Sequence, residues 1–232
     1  PQHLFVRTAE AFSAKLNELT NGEFEIELLT ESQYRELHNP NYQNFGFPHY
    51  KQNTPDLIED LRSGVLDMSQ TQVHWFGNYD PNYRVFDLPF LFKDHDHATR
   101  VFEGPIGTTM GKRLASKAGV RGLAFTYSGG YRVFGSNEPI TDITKLAGQR
   151  VRVNGNPVNA DYVNALGATA VAGAWDSFGA ATAFGPDSLD DGTLDSVETT
   201  YIRFKGKHIL KSLHNMFLTT IIVSNQFWDS LD

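Results

Sequence analysis

The sequence has no cysteine, which excludes thiol nucleophiles, thiolate metal sites and disulfides together and leaves the compartment open on that count. No apolar run reaches the roughly 18 to 20 residues that a membrane-crossing helix needs. The opening Pro1-Gln2-His3 is not the charged-then-apolar start of a leader, so any export signal is expected to have been removed. Charge is scarce as well: 20% of 232 residues, with no run of one sign, which argues against a disordered tail or a polybasic arm. The 20 Lys plus Arg are outnumbered by 27 Asp plus Glu, giving a formal charge of -7. That balance disfavours a groove that tracks nucleic-acid phosphates and leaves room for a local basic pocket that holds a small anion.

The local signatures of catalysis are missing too. There is no G-x-G-x-x-G, no G-x-x-x-x-G-K-[ST], no G-x-S-x-G and no H-E-x-x-H, so phosphate cradles, nucleophile elbows and zincin helices are excluded as local motifs. His95 and His97 flank Asp96, but alternate residues at a helix start diverge, and the cluster reads as solvent-exposed rather than as a metal site. These absences favour binding over chemistry, although carboxylates that meet only in three dimensions would escape such a search.

What is present is a core-forming chain, 40% hydrophobic and 12% aromatic, large enough for one domain or two lobes. Phe5, Ala9, Phe12, Leu16 and Leu19 mark one face of a helix stopped by Asn21-Gly22, and Glu23 to Leu28 alternates as a strand would. Thr54-Pro55-Asp56 reads as a cap before a helix carrying Leu57, Ile58 and Leu61, with a strand at Val65 to Met68. Helical patterns at His97 to Phe102 and Ile106 to Ala118 precede a strand at Val120 to Tyr127. The rhythm continues through Val151 to Val153, Val158 to Leu166, Thr169 to Val171, Thr193 to Val197, Ile209 to Leu213 and Met216 to Val223. It implies an α/β fold with sheets covered by helices on both faces. Trp228 to Leu231 looks like a helix beginning, with further chain expected after it. An internal echo, Leu61 to Met68 answered by Leu189 to Ser196, repeats a helix end, a glycine and a Leu-Asp strand start. Duplication and the commonness of Gly-x-Leu-Asp at such junctions explain it equally.

Three arginines draw attention. In Arg150-Val151-Arg152-Val153 the strand period puts both arginines on one side and both valines on the other. Arg132 follows Gly129-Gly130, where the backbone can pass closely at a crossover between lobes. A guanidinium offers a rigid fork that matches a carboxylate through two parallel charge-assisted hydrogen bonds. Pattern alone serves a structural arginine as well as a ligand anchor.

The chain resembles the extracytoplasmic solute-binding subunits of tripartite ATP-independent periplasmic (TRAP) transporters, the family named for the C4-dicarboxylate receptor. The resemblance rests on Glu18-Leu19-Thr20-Asn21-Gly22 with the segment after it, on Arg62 to Met68, and on Phe86-Asp87-Leu88-Pro89-Phe90-Leu91-Phe92. Gly130-Tyr131-Arg132, Leu146 to Val153, Ala165 to Ala168 and Gly192 to Asp195 then follow in the family's order, so that the resemblance covers nearly the whole chain. It implies a two-lobed α/β fold of the periplasmic binding-protein kind, with crossover strands and a ligand cleft between the lobes. Residues 1–126 plus 217–232 would form lobe I and residues 127–216 lobe II, and the family's first strand and C-terminal helices would be absent from this chain.

The resemblance also implies a site. Arg152 resembles the family's principal arginine, which grips a substrate carboxylate at two points; Arg132 resembles the second arginine. Gln72 falls in a polar loop after a lobe I strand, and Trp175 where an aromatic covers the ligand; Trp75 and Trp175 serve ordinary cores equally well. Glu198-Thr199 stands where relatives carry a ligand-contacting asparagine or a cation-binding glutamate. Glu198 would accept hydroxyl hydrogen bonds, pair with an arginine such as Arg203, or hold a calcium-like cation, the first being favoured. His74 is a pocket donor or a satisfied core histidine. The expected function is capture of a small organic acid, an aldonate or uronate ahead of a dicarboxylate, oxo acid or aromatic acid. The receptor would be a periplasmic monomer that delivers its ligand to membrane permease subunits, with no cofactor, no covalent chemistry, no nucleic acid and no insertion in the membrane. The rival is an enzyme on the same two-lobed frame.

Overall fold

The amphipathic opening segment forms α1, Leu4–Leu19, with Ala9, Phe12 and Leu16 half-buried. It ends where Asn21 and Gly22 turn left-handed, φ 52° and 82°, and Gly22 N–H closes on Asn17 O at 2.9 Å. In the computed structural model residues 4–30, 33, 34, 36, 57–173, 187–200 and 207–231 are described. The strand expected at Glu23 to Leu28 is not formed: among the described residues, 24–30 join no strand of the sheet. Phe24 and Ile26 are half-buried and the intervening glutamates exposed. Alternation reports which face is covered and says nothing about a hydrogen-bonding neighbour.

Helix α2, Leu57–Arg62, buries Leu57, Ile58 and Leu61; its expected cap, Thr54 to Asp56, lies outside the described residues. Strand β1, Met68–Gln72, starts later than Val65. The amides of Val65 and Leu66 both donate to Asp60 O, at 2.9 and 3.2 Å, so the chain is still closing the helix end there. The echoed unit behaves alike. After the short helix Asp187–Asp190, Leu194 N–H donates to Ser188 O at 2.8 Å, and β5 runs Ser196–Thr200 rather than from Thr193. Both units turn on a left-handed glycine, Gly64 at φ 76° and Gly192 at φ 75°.

Helix α3, His95–Glu103, is capped by Asp94, whose carboxylate accepts from His97 N–H at 2.7 Å. Helix α4, Pro105–Ala118, starts with proline and stops at Gly119, φ 69°. Strand β2, Val120–Ser136, then runs far past Tyr127. It pairs antiparallel with β6, His208–Ser224, which merges the two strands expected at 209–213 and 216–223. Their register shifts between Tyr127 and Tyr131; Gly130, at φ 76°, absorbs the irregularity and lets the pair continue.

With β3, Arg150–Val153, and β4, Thr169–Ala172, these strands make one six-stranded sheet, ordered β1-β6-β2-β5-β3-β4. The helix Pro157–Ala165, here α5, connects β3 to its parallel neighbour β4. Packing divides the molecule. One core gathers Ile58, Leu61, Phe76, Tyr83, Phe92, Phe102, Leu114 and Ile222. Phe134, Leu146, Val151, Val153 and Val163 form another, and Val133, Leu189, Leu194 and Val197 a third on the opposite face of β5. The long β2–β6 pair runs through both halves, so the arginines on β2 and β3 sit in the second half while β1 and its following turns belong to the first.

Candidate functional site

Strand β3 places its side chains by simple alternation: Val151 and Val153 enter the second core, and Arg152 points the other way yet is only 2% exposed. Two backbone carbonyls hold its guanidinium. Nε donates to Gly173 O at 2.8 Å and Nη1 to Glu198 O at 3.2 Å. These carbonyls help fix the plane of the group.

Arg132 comes from β2. Its Nη2 donates to Glu198 Oε2 at 2.6 Å and to Glu198 O at 3.1 Å, while Nε donates to Glu198 Oε1. The pair is sealed, with side-chain exposures of 5% and 1%. Burial pulls the Arg132 guanidinium down, and the attraction and hydrogen bonds of Glu198 more than offset this, leaving it raised. Register explains how the arginines meet. Arg132 lies opposite Thr200, and Arg152 opposite Val197, so they leave opposite faces of the sheet. They converge on the same Glu198 carbonyl from either side.

Several expectations can be placed. Glu198 does pair with an arginine, Arg132; Arg203 lies outside the described residues, as does Trp175. The Nε–Nη2 edge of Arg132 is thereby occupied by a protein carboxylate. Thr199, 6% exposed, shares its face of the sheet with Arg152. Gln72 ends β1 opposite Thr219. His74 and Trp75 follow in a 3-10 turn, Val73–Asn78, buried at 6% and 4% exposure with their rings 4.2 Å apart. Arg150 is a surface residue paired to Asp195, Nη2 to Oδ1 at 3.0 Å and Nε to Oδ2 at 3.1 Å. His95 is exposed, as expected, and edges against Tyr127 and Tyr131. Among the described residues no group of three or more His, Asp and Glu is arranged to hold a metal.

The structure adds residues that the sequence reading passed over. Asp87 ends the 3-10 segment Pro81–Asp87 of the first half. Burial pushes its carboxyl up to about 7, against the pull of the Asn156 amide and the Arg132 charge and with the push of Glu198. That influence places Asp87 beside the ion pair of the second half. Tyr162, on α5, is raised well above the usual phenol range, by burial first and then by the Glu198 charge. Asn215 Nδ2 donates to Tyr162 Oη at 3.3 Å. Asn156, Asn159 and Tyr162 recur every three residues from the N-cap of α5 along one side of it, while Pro157, Asp161, Asn164 and Ala165 are exposed. That spacing was the available signal. A separate groove of about 610 Å³ in the first half, lined by Phe76, Tyr83, Phe102, Phe125, Tyr127 and Thr220 among others, shares no residue with this cluster.

A sheet carried through two halves by a long strand pair, with buried guanidiniums where the halves approach, is a two-lobed α/β binding-protein fold. The model of bacterial extracellular solute-binding protein family 7 matches residues 50–232, and the chain belongs to that family. It is 28% identical over 224 residues to the C4-dicarboxylate-binding periplasmic protein DctP of Rhodobacter capsulatus, covering 94% of this chain and 62% of that one. It is 28% identical over 170 residues to the 2,3-diketo-L-gulonate-binding periplasmic protein YiaO of Escherichia coli K12, covering 73% of this chain and 45% of that protein. The chain therefore spans less than two thirds of the length of either relative. A TRAP periplasmic solute binding protein of Xanthobacter autotrophicus Py2, solved with β-D-galacturonate, aligns with a TM-score of 0.73 at 26% identity over 98% of this chain and 70% of that one. One from Polaromonas sp. JS666, bound to D-erythronate, aligns at 0.76 and 23% identity over 100% and 70%. These relatives are binding proteins, and none supports the enzyme reading.

Proposed function

We propose that this chain is the ligand-binding part of a TRAP transporter's periplasmic receptor, which captures a small organic acid between its lobes and delivers it unchanged to membrane permease subunits. Residues 1–126 with 217–232 act as lobe I and residues 127–216 as lobe II, linked by β2 and β6. The observation that carries this reading is Arg152: a guanidinium nearly sealed from water, held in orientation by the Gly173 and Glu198 carbonyls. A carboxylate reaching it forms charge-assisted hydrogen bonds in a site of low dielectric, where they are strong. Thr199 lies on the same face of the sheet, and Gln72 and His74 contribute from around the cleft. Arg132 balances Glu198 and adds field rather than a second fork.

Contacts made only when the lobes are together favour the closed state, which is the form the permease reads. No cofactor takes part, and Glu198, already gripped by Arg132, has no need of a cation. Among the described residues no helix is long and apolar enough to cross a membrane, in keeping with a receptor that docks to its permease. The receptor works as a monomer.

The test is a thermal-shift screen of sugar acids, dicarboxylates, oxo acids and aromatic acids, with and without calcium, alongside an NMR assay for turnover. A rise in melting temperature with an acid that stays intact supports capture. Consumption of the acid, or no response to any carboxylate, contradicts it.

A further inference from the structure

One carbonyl links the two buried arginines. Arg152 Nη1 donates to Glu198 O at 3.2 Å, and Arg132 Nη2 donates to the same oxygen at 3.1 Å. Arg132 also holds the other end of that residue, through Nη2 to Glu198 Oε2 at 2.6 Å and through Nε to Oε1. A single guanidinium thus grips both the side chain and the main chain of Glu198, and its planar fork fixes one relative to the other.

The two carbonyls that hold Arg152 are secured differently. Gly173 follows β4, and its N–H donates to Val153 O at 3.0 Å, so the parallel β3–β4 ladder carries on to that support. The β3–β5 register ends at the Arg152–Val197 pair, one residue before Glu198. Glu198 is held instead from the β2 side, where it lies opposite Phe134 and Arg132 reaches it on the diagonal, Arg132 itself standing opposite Thr200. Two guanidiniums on one oxygen repel each other, and the Glu198 carboxylate joined to Arg132 offsets that repulsion.

We propose that Arg132 and Glu198 form a positioning pair: by gripping Glu198 at both ends, Arg132 aims the carbonyl that orients Arg152 and so tunes carboxylate binding from the opposite face of the sheet. The proposal rests on the receptor reading above and gives Arg132 a role in it beyond balancing charge. A binding group works when its neighbours hold it to within roughly 0.5 Å and 10 to 20° of the productive geometry. Gly173 O alone grips only Nε and leaves the far end of the Arg152 fork to the Glu198 carbonyl.

Two variants separate positioning from counter-charge. Arg132→Met with Glu198→Leu removes the pair without stranding a charge. Arg132→Lys keeps a charge beside Glu198 and loses the planar fork. The first measurement needs no ligand: nitrogen NMR of the Arg152 guanidinium, its signals identified by their loss in Arg152→Lys. Separate Nη1 and Nη2 signals, the mark of slow rotation, are expected in wild type, and averaged signals in each variant that circular dichroism shows to be folded. Restricted rotation kept in either folded variant would overturn the proposal, in the double variant because the pair is then no support, in Arg132→Lys because charge alone then suffices. The second measurement is calorimetric titration of gluconate, succinate, pyruvate and benzoate. Those that wild type binds are expected to bind each variant at least about 5-fold more weakly. The same substitutions added to Arg152→Ala are expected to change affinity little, because Arg132 works through Arg152. Unchanged affinity in the folded variants would overturn the proposal, as would an equal further loss in the Arg152→Ala background, which would make Arg132 an independent contact. Failure of all four acids to bind wild type counts against the receptor reading, and the rotation of Arg152 still decides what the pair does.

Discussion

Removing one partner of the Arg132–Glu198 pair is the sharpest perturbation the structure offers. Both side chains are almost fully sealed and joined at two points. Glu198→Ala would strand a guanidinium in a site from which it cannot be rehydrated, and breaking such a buried pair typically costs about 3 to 5 kcal/mol. For a chain of 150 to 250 residues each kcal/mol moves the melting temperature by roughly 2 to 4 °C, so a fall on the order of 6 to 20 °C is expected. Urea unfolding followed by circular dichroism gives the free energy directly. Replacing both partners, Arg132→Met with Glu198→Leu, is expected to recover most of the loss, because the strained element is the unpaired charge and not the missing attraction. Glu198→Ala at a cost under about 1 kcal/mol, the range of solvated pairs, would refute the reasoning.

Three further expectations concern other parts of the molecule. Asp195→Asn at the exposed Arg150–Asp195 pair should move the unfolding midpoint far less than Glu198→Ala, and an equal shift would contradict the contrast drawn between them. Asp87 is an acid whose native pKa is raised from 3.8 to about 7, so its ionisation adds no penalty below about pH 4, a growing one as pH rises through that interval, and the full one above 7. Asp87→Asn should therefore raise stability relative to wild type at pH 8 and change it little at pH 4, and denaturation curves at the two pH values check the sign. Gly119→Ala places a side chain at φ 69° with its Cβ 2.9 Å from Arg62 Cγ; a loss of roughly 1 to 2 kcal/mol is expected, and no loss in the urea midpoint would count against the strain.

Much of this fold is legible because local rules and tertiary packing agree. Gly64, Gly119 and Gly192 end helices in left-handed turns, and the β3 alternation correctly sends Val151 and Val153 to the core and Arg152 away. What misled was pairing. Nothing in Glu23 to Leu28 says whether a neighbour exists, and nothing at Gly129-Gly130 says that the strand continues through a bulge. At the site, arginines announce themselves by charge, but the partner of Glu198 is set by the diagonal of the β2–β5 register, which brings in Arg132 from 66 positions away. Asn156, Asn159 and Asn215 carry no charge, and only their burial sets them apart.

The central claim is that Arg152 binds an acid it does not transform. Calorimetric titration of the acid found in the thermal-shift screen against wild type and Arg152→Ala tests it most directly. A charge-assisted contact worth about 1.5 to 3 kcal/mol predicts an affinity roughly 10- to 150-fold weaker, with the acid recovered intact. A folded Arg152→Ala protein that binds the acid as tightly as wild type would contradict the account.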